Sequence, residues 1–273
     1  MGILTAATIV AVTGIFMGVF LGIAGLVFYV KGNPKEEAVL AALPGNNCGG
    51  CGFPGCNGLA AAIVEGKVAI DACPVGGDDV AQRIGEILGE TAQKQVRKVA
   101  YIHCAGCADM TTDLYEYCGV TDCQMMQFVP AGGAKACPNG CLGYGSCQKV
   151  CAFDAIQIVG NIAVVIKEKC KSCGRCVESC PRNLIELIPD KPVAVIACAS
   201  TQKGALTQKA CQVGCIGCGI CVKNCPVKAI TIEQFHAVIQ EETCTACGVC
   251  VEKCPKNCIH LRGSIEEPHE TTG

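Results

Sequence analysis

The chain has 273 residues, of which 27 are cysteine and none tryptophan; aromatic residues make up 4% and the formal net charge is −2. There is no basic surplus for a nucleic acid, and an odd number of thiols excludes complete disulfide pairing. The length allows two or more small domains. With so few aromatic rings, something else must fill or staple their cores.

Residues 3–30 carry no charged side chain. As a helix this run would span roughly 42 Å, more than a hydrocarbon core of about 30 Å, so it would tilt or project. A signal peptide is the rival reading. It has a basic start and a shorter apolar run, and here no Lys or Arg precedes Lys31. Lys31 and Lys35 follow directly. By the positive-inside rule they place the rest of the chain on the cytoplasmic side, where thiols stay reduced. An anchor over 1–32 is expected. Gly14, Gly18 and Gly22 form a small-residue stripe that suits close packing against partner helices; the plainer account is that glycine is common in membrane helices.

The next unit, 33–98, contains "LPGNNCGGCGFPGCNGLA" at 43–60, then Cys73 followed by Pro74. Neighbouring thiols this close would strain a disulfide. Glycine lets backbone N–H groups approach the sulfides of an iron–sulfur cubane. Cys48, Cys51, Cys56 and Cys73 are therefore candidate ligands of one [4Fe–4S] cluster, with zinc as the alternative. Residues 77–98 read as an amphipathic linker helix. Asp78 or Asp79 would cap it, Ile84, Ile87 and Leu88 share a face, and Lys94, Arg97 and Lys98 suit its end.

The remainder repeats itself. Cys137, Cys141, Cys147, Cys151, Cys170, Cys173, Cys176 and Cys180 recur 74 residues on as Cys211, Cys215, Cys221, Cys225, Cys244, Cys247, Cys250 and Cys254. Two modules of one kind stand in tandem, over 99–190 and 191–273. In the second, "CIGCGICVKNCP" (215–226) and "CTACGVCVEKCP" (244–255) are two-cluster ferredoxin motifs, in which the fourth cysteine serves the other cluster. Cys215, Cys218, Cys221 and Cys254 are assigned to one cluster, and Cys244, Cys247, Cys250 and Cys225 to the other. Between them, "AITI" (229–232) and "HAVIQ" (236–240) are expected to pair as antiparallel strands.

The first module departs from this pattern, with Tyr144 where the second has Cys218 and Ala152 where it has Pro226. Cys137 is taken as the replacement, giving Cys137, Cys141, Cys147 and Cys180 for one cluster and Cys170, Cys173, Cys176 and Cys151 for the other. A three-iron or empty site is the alternative. The total is at least five clusters. Cys104, Cys107, Cys118, Cys123, Cys198 and Cys211 are candidates for further ones, though buried structural thiols would also account for them; with Cys258 they have no assignable ligand set. Cys198 precedes Cys211 by 13 residues, Cys123 precedes Cys137 by 14, and "VAYIHCAG" (99–106) resembles "VAVIACAS" (193–200). His103, His236, His260 and His269 are expected at the surface or in packing. No nucleotide fingerprint and no catalytic constellation appears; "GCIGCG" (214–219) follows no Rossmann strand. The expected fold class is one N-terminal transmembrane helix, a small α-helical [4Fe–4S] domain, and α+β tandem two-cluster ferredoxin-like modules.

An anchor, a CxxC–C–CP domain and two-cluster modules, in that order, resemble the B subunit of the Rnf complex, an ion-translocating ferredoxin:NAD oxidoreductase. "NNCGGCGFPGCNGLA" and "GCLGYGSC" carry the resemblance most specifically, and the tandem modules look like the long, clostridial-type form. The resemblance implies a polypeptide that takes electrons from reduced ferredoxin and feeds membrane partners moving Na+ or H+, with the NAD and flavin sites on those partners. Stretch 104–123 lies outside the matching motifs. Two other classes remain in view. One is an iron–sulfur subunit of carbon monoxide dehydrogenase or heterodisulfide reductase type, which should show a substrate pocket or an extra metal motif. The other is a zinc-stapled scaffold.

Overall fold

The computed structural model describes residues 2–28, 33–93 and 96–262. Lys31, Lys94 and His269, singled out above, lie outside these residues. Helix α1, Gly2–Val27, contains a stretch, Ala7–Leu26, that is long and apolar enough to cross a membrane, and none of it is buried inside the protein. Beyond the helix's own backbone, no atom comes within 4 Å of where a Cβ would stand on Gly14, Gly18 or Gly22.

Three helices then pack together: α2 (Pro34–Ala42), α3 (Cys56–Val64) and α4 (Gly77–Leu88). Pro34 suits the first helical position, and the Asn33 side chain accepts from the Lys35 N–H at 3.1 Å. Val39, Leu59, Ile63, Val80 and Ile84 close the shared core, each stabilising it by about 1.5–3 kcal/mol. The linker helix ends ten residues before the expected 98. Gly89 takes a left-handed conformation there, and its N–H bonds to Gly85 O at 2.7 Å, a common helix stop. Its start is capped by Gly76 rather than by Asp78 or Asp79, which fall in the first turn. Arg97 instead donates to Lys167 O (2.9 Å) and Cys170 O (3.1 Å).

The first module runs through β1 (Lys98–Ile102), α5 (Ser146–Lys149), β2 (Ile156–Val159), β3 (Ile162–Val165), α6 (Arg175–Ser179) and β4 (Ile185–Pro189). The second runs through β5 (Val193–Ile196), α7 (Gly204–Ala210), α8 (Ile220–Asn224), β6 (Ile230–Glu233), β7 (His236–Ile239), α9 (Val249–Glu252) and β8 (Ile259–Arg262). In each module the first strand pairs antiparallel with the last, β1 with β4 and β5 with β8, and the inner strands form a hairpin. The hairpin expected near 229–240 forms with register Ile230↔Ile239. Its turn residues, Gln234 and Phe235, both have positive φ, which matches the twist of a two-residue hairpin.

All four sheets among the described residues have only two strands, and such ribbons are marginal alone. Thiols supply much of what covers them. Cys147, Cys170 and Cys176 sit in the first module's core, and Cys215, Cys221, Cys250 and Cys258 in the second's. The modules are stitched together by backbone bonds: Ala105 N–H to Ala197 O (2.9 Å), Thr112 N–H to Ala210 O (3.2 Å) and Gln212 N–H to Met110 O (2.8 Å). The start of the stretch beyond the matching motifs thus forms part of the joint between modules.

Candidate metal centres

Four loops share one backbone design. Each has a positive-φ residue (Gly143, Ser172, Gly217, Ala246), then a left-handed glycine (Gly145, Gly174, Gly219, Gly248) that opens a short helix holding a cysteine (Cys147, Cys176, Cys221, Cys250). The loop around Tyr144 keeps this geometry although its middle cysteine is missing. Backbone N–H groups point at the sulfurs that close three of the sets: Ala155 to Cys151 (3.3 Å), Leu184 to Cys180 (3.5 Å) and Ala229 to Cys225 (3.3 Å). Such donors favour a thiolate over a thiol.

In the two modules the sulfurs gather in quartets. In the helical domain, burial raises the Cys73 thiol pKa while the Gly76 and Val75 N–H groups oppose the shift, and the Cys51 and Cys48 thiols lie beside it. Asn47 Oδ1 accepts from the Cys56 N–H at 2.8 Å, fixing the start of α3. Burial pushes Cys176 up to about 12, with Cys170, Cys173 and Cys151 adding to the shift. Cys250 is raised by burial and by Cys244, Cys247 and Cys225. Cys215, Cys218, Cys221 and Cys254 line one cavity, with Cys258 as a fifth sulfur.

The irregular site differs from the ligand set expected from spacing. Its cavity is lined by Cys123, Cys141, Cys147 and Cys180, and Cys137 is not among them. Burial pushes Cys147 up to about 12, and its neighbouring thiols are Cys141, Cys123 and Cys180, then Cys176. Cys123 reaches this place because its loop is docked on α5: its N–H donates to Ser146 Oγ (3.0 Å), and the Ser146 hydroxyl donates to Asp122 (3.3 Å). The spacing signal for Cys123 is its position 14 residues before Cys137, but nothing local ties it to Cys141. Cys137 instead lines a cavity with Cys104, Cys198 and Cys211. Cys107 and Cys118 line neither cavity, and Cys118 is exposed. His103 bridges strands, with Nδ1 2.8 Å from Ile196 O and Nε2 3.1 Å from Glu186.

Four sulfurs per set, N–H donors aimed at them and glycine loops around them suit a cubane gripped at its corners. Among the described residues no three His, Cys, Asp or Glu side chains are close enough to hold a single ion. Thiols of a set that still carry protons would give them up when such a group binds. Fold and quartets together define an iron–sulfur electron-transfer protein with ferredoxin-like modules and one candidate membrane span.

Comparisons with known proteins agree. The FeS family model, which describes an Fe–S cluster, matches residues 43–75. A LdpA Fe-S cluster-binding domain matches 137–191, and 4Fe-4S dicluster domains match 169–229 and 214–258. The B subunit of the Na(+)-translocating ferredoxin:NAD(+) oxidoreductase complex of Acetobacterium woodii is 46% identical over 97% of this chain and 79% of its own length. The B subunit of the ion-translocating oxidoreductase complex of Methanosarcina acetivorans is 40% identical over 95% of this chain and 98% of its own. The B subunit of the proton-translocating ferredoxin:NAD(+) oxidoreductase complex of Clostridium ljungdahlii is 34% identical over 85% and 82%. The chain belongs to the family of B subunits of the ion-translocating oxidoreductase, or Rnf, complexes. It is an iron–sulfur electron-transfer component of such a complex.

Proposed function

We propose that this chain takes electrons from reduced ferredoxin on the cytoplasmic side and hands them to membrane partners, which reduce NAD and move Na+ or H+. Bound [4Fe–4S] clusters supply one-electron transfer with little rearrangement. Five quartets would hold them: Cys48, Cys51, Cys56 and Cys73; Cys151, Cys170, Cys173 and Cys176; Cys123, Cys141, Cys147 and Cys180; Cys215, Cys218, Cys221 and Cys254; and Cys225, Cys244, Cys247 and Cys250. We take 1–32 as the anchor, 33–98 as the helical cluster domain with its linker, and 99–190 and 191–273 as the two modules.

The observation that carries this reading is the order of the quartets. Cys48 is a charge neighbour of Cys173, and Cys176 of Cys147. The helical domain therefore abuts the first module, while Cys218 and Cys247, the exposed thiols among these quartets, lie in the second module, the end we assign to a soluble donor. The chain carries no dinucleotide or flavin fingerprint, so the NAD site falls to the partners. One relative is named for Na+ and another for protons, and we assign the ion path to the membrane partners as well.

The test is anaerobic. Reduced ferredoxin mixed with the isolated chain should bleach its visible cluster absorbance, and added NAD should then yield no NADH. NADH formed by this chain alone would make it a complete enzyme; absence of bleaching would remove ferredoxin as the donor.

A further inference from the structure

We propose that Cys104, Cys137, Cys198 and Cys211 hold a sixth [4Fe–4S] cluster, shared between the two modules and joining their cluster rows into one. The inference rests on the reading that the other five quartets hold clusters.

The four sulfurs come from both modules and line one cavity, with Gly106, Lys135, Gly140 and Gly214. Their arrangement is close to two-fold. Cys104 and Cys198 follow β1 and β5 and face each other across an antiparallel bridge. Cys104 Sγ accepts the Cys141 N–H at 3.3 Å, and Cys198 Sγ accepts the Cys215 N–H at 3.2 Å. The bond is the same in both modules, and each donor is the first cysteine of the adjoining glycine loop. Cys137 and Cys211 are the other related pair. A Cβ on Gly140 would lie 3.3 Å from Cys137 Cβ, and one on Gly214 would lie 3.4 Å from Cys211 Cβ. A Cβ on Gly106 would stand 3.1 Å from Cys211 Sγ and 3.8 Å from Cys104 Sγ, so backbone comes right up to the sulfurs, as a cubane requires.

Charge separates this site from a nest of inert thiols. Lys135 is 4% exposed, lines the cavity, and donates to Gly106 O and Cys141 O at 2.8 Å each. No carboxylate pairs with it among the described residues. Its ammonium thus stands at the wall of the cavity that the four sulfurs share. Arg182 adds a second cation, donating to Cys137 O at 3.0 Å and to Gly132 O at 2.7 Å. Loading balances simply. A preformed cluster passes from the carrier that fills the other sites: its Fe–S bonds to the carrier break, four form to these cysteines, the four thiols here release their protons while the freed carrier ligands take protons up, and no electron changes hands.

The experiment uses the full chain, matured anaerobically in detergent, with iron and sulfide counted per chain. Cys104→Ala and Cys198→Ala should each lose about four iron, and the double variant should lose no more than either single, because both remove one cluster. Unchanged iron in the singles, or losses that add in the double, would overturn the proposal. If an alanine variant loses more than one cluster's worth, Cys211→Ser decides. A serine that keeps the iron must change one low-temperature EPR signal, and an unaltered set of signals would also overturn the proposal. Ferredoxin plays no part in these readouts, so failure of the donor assignment and failure of this site are separable.

Discussion

The thiol of Cys258 is 1% exposed and lies 3.6 Å from that of Cys254, against a quartet complete without it. Its S–H bonds to Cys215 and Cys254 hold its own pKa far above the usual thiol range. The same bonds draw Cys254 down to about 5 and Cys215 to about 6. With Cys215, Cys218, Cys221 and Cys254 as the proposed ligands, this makes Cys258 a candidate proton donor to two of those sulfurs. Hydrogen bonds to the sulfurs favour the more negative, reduced cluster. Cys258→Ala should keep its iron and shift one midpoint potential negative, on the order of tens of millivolts for a bond worth about 1 kcal/mol. Redox-poised EPR checks this; a lost cluster would make Cys258 structural, and an unmoved potential would deny it the donor role.

The loop around Tyr144 shows what spacing reveals and what it hides. Gly143 and Gly145 have positive φ, as Gly217 and Gly219 do around Cys218, so the chain path toward the cluster is intact and only the sulfur is missing. Cys123 lines the same cavity from a separate segment, and in the proposed sets it takes that place. Cys123→Ala should therefore cost about four iron, and adding Tyr144→Cys to it should restore them, measured as iron per chain. No rescue would mean that position 144 does not face the cubane. Sets built on one local loop plus the matching loop, such as Cys215, Cys218, Cys221 and Cys254, are legible in the sequence because the motif is short and the swap is a rule of the fold. Cys123, Cys104 and Cys198 are not, because strands and a docked loop bring them to their sites from far along the chain. Helix α4 is shorter than its charge pattern suggests for a simpler reason: the pattern through Lys98 reads on as helix, while Gly89 stops it. The β6–β7 hairpin, by contrast, follows from alternation and a two-residue turn, and its ends fall within one residue of those expected.

Across the whole molecule, the sites form a sequence of neighbours from the helical domain, through the first module and the joint, to the second. The first contact in that sequence is bare backbone. A Cβ on Gly50 would stand 2.5 Å from Cys173 O, and a main-chain oxygen cannot swing aside as a side chain would. Gly50→Ala should prise the helical domain from the first module. Iron content should stay at the wild-type value while ferredoxin-driven flow into the assembled complex falls several-fold. Unchanged flow would mean that electrons do not cross at this contact. The two-stranded sheets have a consequence of another kind. Each ribbon's core mixes aliphatic side chains with thiols, so a cubane bound to those thiols would form part of what holds the module together. Loss of that cubane to oxygen would then loosen the module around it and open it to proteases. A damaged conductor would so be cleared rather than linger in the membrane as a broken circuit that still occupies its partners.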